Sequence, residues 1–282
     1  MKNYFTLDED FNSIIKRTLQ AESSDIIINS IKQNTTGWTN IVYEVSTNKG
    51  DFFFRFPRDY FWERTIVKDY EFAKYIKGKT TYQTVDLQLK EDNGRYFSVH
   101  KKIHGTPLAE KMNTMSKEDV EKVSKQIADF MYQMHNLKYD ENAIFTIDNI
   151  GLDLNNFIDE LLELHVSEKD QLFWNTNNFK IENKSEYCLV HGDFNSSNVL
   201  LDDNNNVCAI IDFGFGGFGN KYMDISRIIG RCPESFKKPI ISSYQDFESK
   251  GLSNSEVDKN IDIWNKIDSG YINYMRKIGI YK

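Results

Sequence analysis

Three side chains in the second half of the chain have the types and spacing for phosphoryl transfer. Asp193 and Asn198 stand five residues apart in HGDFNSSN, and Asp212 follows Asp193 by nineteen. Moving a phosphoryl group needs an acceptor for the attacking hydroxyl's proton and a cation over the donor's phosphates. A carboxylate at Asp193 meets the first need. The amide oxygen of Asn198 and the carboxylate of Asp212 are hard donors, which Mg²⁺ takes together with phosphate oxygens and water. Each segment follows an apolar, strand-like run, and the ordered pair is a stronger signal than either alone.

Asp212 also opens DFGFGGFG, which from Gly214 satisfies G-x-G-x-x-G, the glycine pattern of dinucleotide-binding folds. That reading needs a helix opening at Gly219 and an acidic residue about twenty positions on, at the end of a second strand. Glu234 has the distance but sits in GRCPESFKK, which is no strand, and the first βαβ unit would begin very late in the chain. The metal-binding D-F-G reading is preferred, with the glycines after Asp212 forming a tight, bare turn near metal and phosphates. His191 is expected to be a hydrogen-bonded scaffold, and His135, among apolar helical neighbours, a packed structural histidine. Asp224, in KYMDISRI, is expected to cap the next helix and brace the loop.

The elements that must position these residues fall into two groups. A helix is expected over 7–20, strands over 26–31, 41–46 and 52–56, and a helix over 62–76. Strands over 85–89 and 96–102 complete a small sheet. After Gly105 the pattern turns helical. Ser116 with Asp119 marks an N-cap, and residues 154–164 form another amphipathic helix. Strands over 187–190 and 207–211 flank the motifs, and Ser253 with Glu256 forms a capping box for a last helix reaching residue 278. The expected fold is α+β and two-lobed: a small β-rich lobe over 1–102, a hinge near 100–106, and a larger, mostly helical lobe over 103–282.

The bulk numbers fit that layout. The chain has 282 residues, 40% hydrophobic and 27% charged, enough for two lobes with cores of their own. A net charge of −7 argues against nucleic-acid binding, which demands a basic face, and suits a cationic small substrate. The three cysteines, without C-x-x-C spacing, suit a reduced compartment, with Cys188 and Cys208 as small apolar fillers. No signal-like stretch and no membrane-length run is seen, so a cytoplasmic monomer is expected.

LVHGDFNSSNVLL, then AIIDFG, then DIS resembles the aminoglycoside phosphotransferases and their small-molecule kinase relatives, over about 35–231. The resemblance implies a protein-kinase-like fold, ATP or GTP as donor, Mg²⁺ on Asn198 and Asp212, and Asp193 as catalytic base. It also implies a basic residue on the third strand, Arg55, paired with a helix glutamate, Glu71, sixteen residues on; Glu63 is the second candidate. Family members commonly carry lysine there, and arginine changes a point charge to a planar fork. The phosphate-covering turn would be NTTGWTN, with Thr35, Thr36, Gly37 and Thr39 near the donor, though a plain hairpin remains open. The Lys101 carbonyl and Ile103 amide would meet the purine edge. Only twelve residues separate Asp212 from Asp224 and no A-P-E follows, so a compact hydroxylated acceptor fits better than a peptide. A cationic aminoglycoside is the first choice, with Glu234, Asp262 and Asp268 as amine-binding carboxylates and Trp264 as a sugar-stacking face. Kinases of macrolides, choline, homoserine or sugars, or a nucleotide-binding module without catalysis, are the alternatives.

Overall fold

The computed structural model describes residues 5–35, 39–137, 187–248 and 251–277. The expected helix over 154–164, the loop residues Thr36 and Gly37 and the end of the last helix lie outside them. The chain forms two compact units. One comprises Met1–Tyr75 and Val85–His104, the other Ile76–Thr84 and Gly105–Lys282.

In the first unit, helix α1 (Phe11–Glu22) starts where the Asp10 carboxylate accepts the Ser13 amide at 3.1 Å, satisfying one of the amides a helix start leaves over. Strands β1 (Ile28–Asn34), β2 (Asn40–Thr47), β3 (Gly50–Pro57), β5 (Gln88–Asp92) and β6 (Arg95–Lys101) form one sheet in the order β1-β2-β3-β6-β5. Helix α2 (Tyr60–Ile76) follows β3. One sheet face is apolar because Phe54 and Phe56 alternate with Arg55 along β3. Those phenylalanines join Phe5, Phe11, Ile15 and Phe97 in the core, with Phe56 stacked on Phe97 at 4.9 Å. The fifth strand occupies 88–92, not 85–89. Asn93 and Gly94, at φ 52° and 77°, supply the two left-handed positions of a tight hairpin, and that turn sets the register.

In the second unit, β4 (Gln83–Thr84), β10 (Val207–Ile210), β9 (Val199–Leu201) and β7 (Thr106–Pro107) form a sheet in that order. A two-stranded ribbon joins β8 (Cys188–Val190) to β11 (Gly217–Gly219). The helices are α3 (Leu108–Lys111), α4 (Lys117–His135), α5 (Tyr222–Gly230), α6 (Glu234–Phe247) and α7 (Asn254–Lys277). Ser116 caps α4, accepting the Asp119 amide at 3.1 Å, and Ser253 accepts the Glu256 amide at 3.3 Å at the start of α7. α4 packs on α6, and α5 on α7. Among the described residues no helix is long and apolar enough to cross a membrane.

Candidate active site

Two short connections in the second unit carry the three motif residues, one after β8 and one after β10. Two hydrogen bonds at Ile211 tie them together. The Ile211 amide donates to the Asn198 carbonyl at 3.0 Å, and the Ile211 carbonyl accepts from His191 Nε2 at 2.9 Å. A carbonyl can only accept, so His191 carries its proton on Nε2. Its Nδ1 is then free to accept the Asp193 amide at 3.3 Å. His191, fully buried, is therefore a scaffold joining the Asp193 connection to the residue before Asp212.

Asn198 Nδ2 donates to the Asp193 carbonyl at 2.9 Å, which turns the amide oxygen the other way. That oxygen accepts no hydrogen bond among the described residues. Asp212 has a left-handed backbone, φ 67°, uncommon for a residue with a side chain and found where surroundings enforce it. An amide oxygen turned away from the loop, with a carboxylate on the adjoining connection, suits Mg²⁺, which keeps water and phosphate oxygens on its other positions. Among the described residues no group of three or more His, Cys, Asp or Glu could hold a metal, so the site offers two protein oxygens rather than a closed cage.

Asp224 braces this assembly from beneath. Fully buried, its two oxygens accept the His191 amide at 2.8 Å and the Gly192 amide at 2.9 Å. His135 Nε2 lies 3.2 Å from the same carboxylate, and its Nδ1 2.8 Å from the Tyr244 hydroxyl. The carboxylate can only accept, so Nε2 donates, and in that tautomer Nδ1 accepts a hydrogen bond from the Tyr244 hydroxyl. Burial first, then nearby Glu248, push the Tyr244 phenol far above its ordinary value and keep it a donor. Asp224 lies within the first turn of α5, so it braces the loop but does not cap that helix, whose N-cap position is Lys221.

The glycine run resolves into two pieces. Gly216 donates to the Phe213 carbonyl at 2.8 Å, closing a turn, and Gly217–Gly219 pair antiparallel with β8. The next helix opens at Tyr222, not at Gly219, and the segment is a strand where a dinucleotide fold needs a helix start. The small residues serve a close approach. A Cβ on Gly192, at φ 79°, would stand 2.0 Å from the Phe215 carbonyl oxygen.

In the first unit the carboxylate that meets Arg55 is Asp69, 2.5 Å away and only 1% exposed, not Glu71. Glu71 lies 4.0 Å from Lys74 on its own helix. Glu63, also buried, accepts the Tyr96 amide at 2.7 Å. Thr35 is exposed, and Thr39 accepts the Asn40 side-chain amide at 2.9 Å. The Lys101 carbonyl is 3.0 Å from His100 Nδ1, and Ile103 is half-buried.

Of the expected acceptor residues, Trp264 and Asp268 meet at one guanidinium, while Glu234 and Asp262 are exposed. Glu234 is exposed in the first turn of α6. Asp262 is exposed and 3.4 Å from Lys266. Trp264 is buried, donates to the Met223 carbonyl at 3.1 Å and has the Arg227 guanidinium 4.6 Å over its ring, so it presents no open stacking face. Asp268 is 2.7 Å from Arg227 and also meets Arg231, so its charge is already balanced. Arg227 itself, 2.9 Å from Asp193, went unrecognised in the sequence, where no motif marks it.

An α+β chain with a five-stranded antiparallel sheet, a motif loop after β8 and an aspartate turn after β10 defines a kinase-like phosphotransferase. The model of the phosphotransferase enzyme family matches residues 30–248, and the chain belongs to that family. Its fold is similar to the GDP and kanamycin complex of APH(2")-IIia, with TM-score 0.70 and 18% identity, covering 94% of this chain and 93% of that one. The streptomycin–ATP ternary complex of APH(2")-IIa matches with TM-score 0.67 and 19% identity, over 95% of both chains. The apoenzyme of macrolide 2'-phosphotransferase MphH from Brachybacterium faecium matches with TM-score 0.60 and 12% identity, over 93% of this chain and 92% of that one.

Proposed function

We propose that this protein is a small-molecule kinase that moves the γ-phosphoryl group of ATP or GTP to a hydroxyl of a cationic aminoglycoside, giving resistance. The observation that carries the reading is the tie through Ile211, which joins the Asp193–Asn198 loop to the Asp212 turn by one backbone bond and one bond from the His191 ring. In this reading Asp193 takes the proton as the acceptor oxygen bonds to phosphorus and the bond to the β-phosphate bridging oxygen breaks. Asn198 and Asp212 hold Mg²⁺, which when bound neutralises charge on the phosphates. Arg55, held by Asp69, is assigned to the α/β-phosphates, the 34–40 turn to the phosphate oxygens, and the Lys101 carbonyl and Ile103 amide to the purine. Most of the rate enhancement would come from positioning and charge neutralisation. The protein would act as a cytoplasmic monomer.

A second reading is a less cationic acceptor such as a macrolide. It is favoured by Asp268, whose charge two arginines already balance, and by Trp264, whose ring Arg227 covers.

A coupled nucleotide-consumption assay with Mg²⁺, testing ATP and GTP against aminoglycosides, macrolides, choline, homoserine and sugars, separates these. Aminoglycoside-dependent turnover that Asp193→Asn abolishes while nucleotide binding persists supports the first reading. Turnover with another hydroxyl compound alone replaces the acceptor. Unaltered turnover in Asp193→Asn removes the role given to that carboxylate.

A further inference from the structure

Asp193 Oδ1 accepts from Arg227 Nε at 2.9 Å and from Asn195 Nδ2 at 3.1 Å. Oδ2 accepts no hydrogen bond among the described residues. Arg227 is not a loose surface cation, being 11% exposed. Its NH1 donates to Asp268 at 2.7 Å and its guanidinium lies 4.6 Å over the Trp264 ring. Trp264 and Asp268 lie one turn apart on α7 and present a face and an oxygen to the same guanidinium. That helix is fastened to α5 by Ser226, whose hydroxyl donates to the Val257 carbonyl at 3.0 Å, and by Trp264, which donates to Met223 on α5 at 3.1 Å. A second guanidinium, Arg231, meets Asp268 from the C-cap position of α5.

We propose that Arg227 is a positioning residue for Asp193, and that by engaging Oδ1 it leaves Oδ2 as the oxygen that takes the acceptor's proton. The inference rests on the reading of Asp193 as base. A carboxylate free to rotate about its last bond presents either oxygen in many directions. One whose first oxygen is held by two donors presents the second in one direction, and reacting groups gain from such fixed geometry. Only a planar fork does this here, because it must donate along Nε and NH1 at once with its carbon over an indole ring. Lysine keeps the charge but has no pair of donors at the fixed separation of Nε and NH1. Asp268 thereby becomes a support for the guanidinium, and α7 enters catalysis without touching the acceptor.

The test is steady-state kinetics of Arg227→Lys and Asp268→Asn with kanamycin as acceptor and MgATP or MgGTP as donor. Arg227→Lys is expected to lower kcat by on the order of 10²-fold, the loss typical of a reacting group displaced by about an ångström. The KM values for both substrates should stay within about threefold, because neither is bound by this residue. Asp268→Asn should lower kcat by about tenfold, and the double variant should be no slower than Arg227→Lys, since both changes act through one guanidinium. Wild-type kcat in Arg227→Lys overturns the proposal, as does a loss that only follows the fraction unfolded in a thermal melt. If wild-type protein does not turn over kanamycin, the acceptor reading falls and the Arg227 Nε–H resonance decides instead. A signal protected from solvent exchange that moves in Asp193→Asn supports the clamp, and one exchanging like a surface arginine overturns it. A slow Asp193→Asn beside a normal Arg227→Lys leaves the base in place and removes the positioning residue.

Discussion

Gly192 is the position where a single methyl group should do the most damage. Its φ of 79° is left-handed, and a Cβ there would stand 2.0 Å from the Phe215 carbonyl oxygen and 2.6 Å from its carbon. Both atoms are backbone, so no rotamer change relieves the contact. The left-handed conformation alone costs an L-residue roughly 1–2 kcal/mol. Forcing a methyl into a filled space adds roughly 1–3 kcal/mol, and together Gly192→Ala should lose about 3 kcal/mol of stability. The activity loss should be larger than that figure implies. The chain must open by about 1 Å between the loop of Asp193 and the turn after Asp212, and misplacement on that scale costs on the order of 10²-fold in rate. Urea unfolding and kcat with saturating MgATP or MgGTP measure the two effects separately. A Gly192→Ala protein within about 0.5 kcal/mol of wild type and with undiminished kcat would refute the reasoning, because that margin is what an ordinary surface substitution gives.

Asp224→Asn sets an amide NH₂ against groups that can only donate, so it should cost about 3 kcal/mol in urea unfolding, and a cost below about 1 kcal/mol would show the brace to be dispensable. Asp69→Asn leaves Arg55 without its buried carboxylate and should lower stability by about 3 kcal/mol while raising KM for the nucleotide. Glu71→Gln should change stability by less than about 0.5 kcal/mol, and the reverse ranking would restore Glu71 as the partner of Arg55. Burial pushes the Cys232 thiol up to about 12 and raises Cys188 and Cys208 as well. At pH 8 the Cys232 thiolate fraction is then about a thousandfold below that of an ordinary thiol, so labelling of the folded protein should be slow and accelerate on unfolding. The sign follows: the unfolded chain gives up these protons at lower pH than the folded one, so their contribution to stability declines as pH rises above the ordinary thiol value.

The motif residues were legible because their chemistry fixes both residue type and spacing. Asp193, Asn198 and Asp212 must come from two connections of set length, and that constraint is linear in the chain. The partner of Arg55 was not legible in this way. Asp69 and Glu71 are two positions apart on α2, about 200° around the helix, so only one can face β3. Counting sixteen residues forward cannot say which. The fifth strand was misplaced because Val85, Leu87 and Leu89 alternate like a strand, and Val85 and Leu87 are indeed buried. The Asn93–Gly94 turn, a readable hairpin signal, outweighs that alternation by fixing where pairing begins. Asp268 and Trp264 were read as acceptor groups because their residue types allow it. Their occupation by Arg227 depends on the packing of α7 against α5, and nothing local in the sequence encodes a contact across forty-one residues.

The strand Gln83–Thr84 lies beside β10 in parallel register, with Gln83 opposite Ala209 and Thr84 opposite Ile210. The chain therefore crosses between its two units three times, after Tyr75, Thr84 and His104. No single cut yields both units whole. A fragment beginning at Gly105 lacks the strand that covers β10, leaving a three-stranded sheet with β10 as its open edge directly beside the Asp212 turn. Anyone dividing this enzyme for split-reporter work or fragment complementation has to carry residues 76–84 with the second unit, as a separate peptide or by permuting the chain.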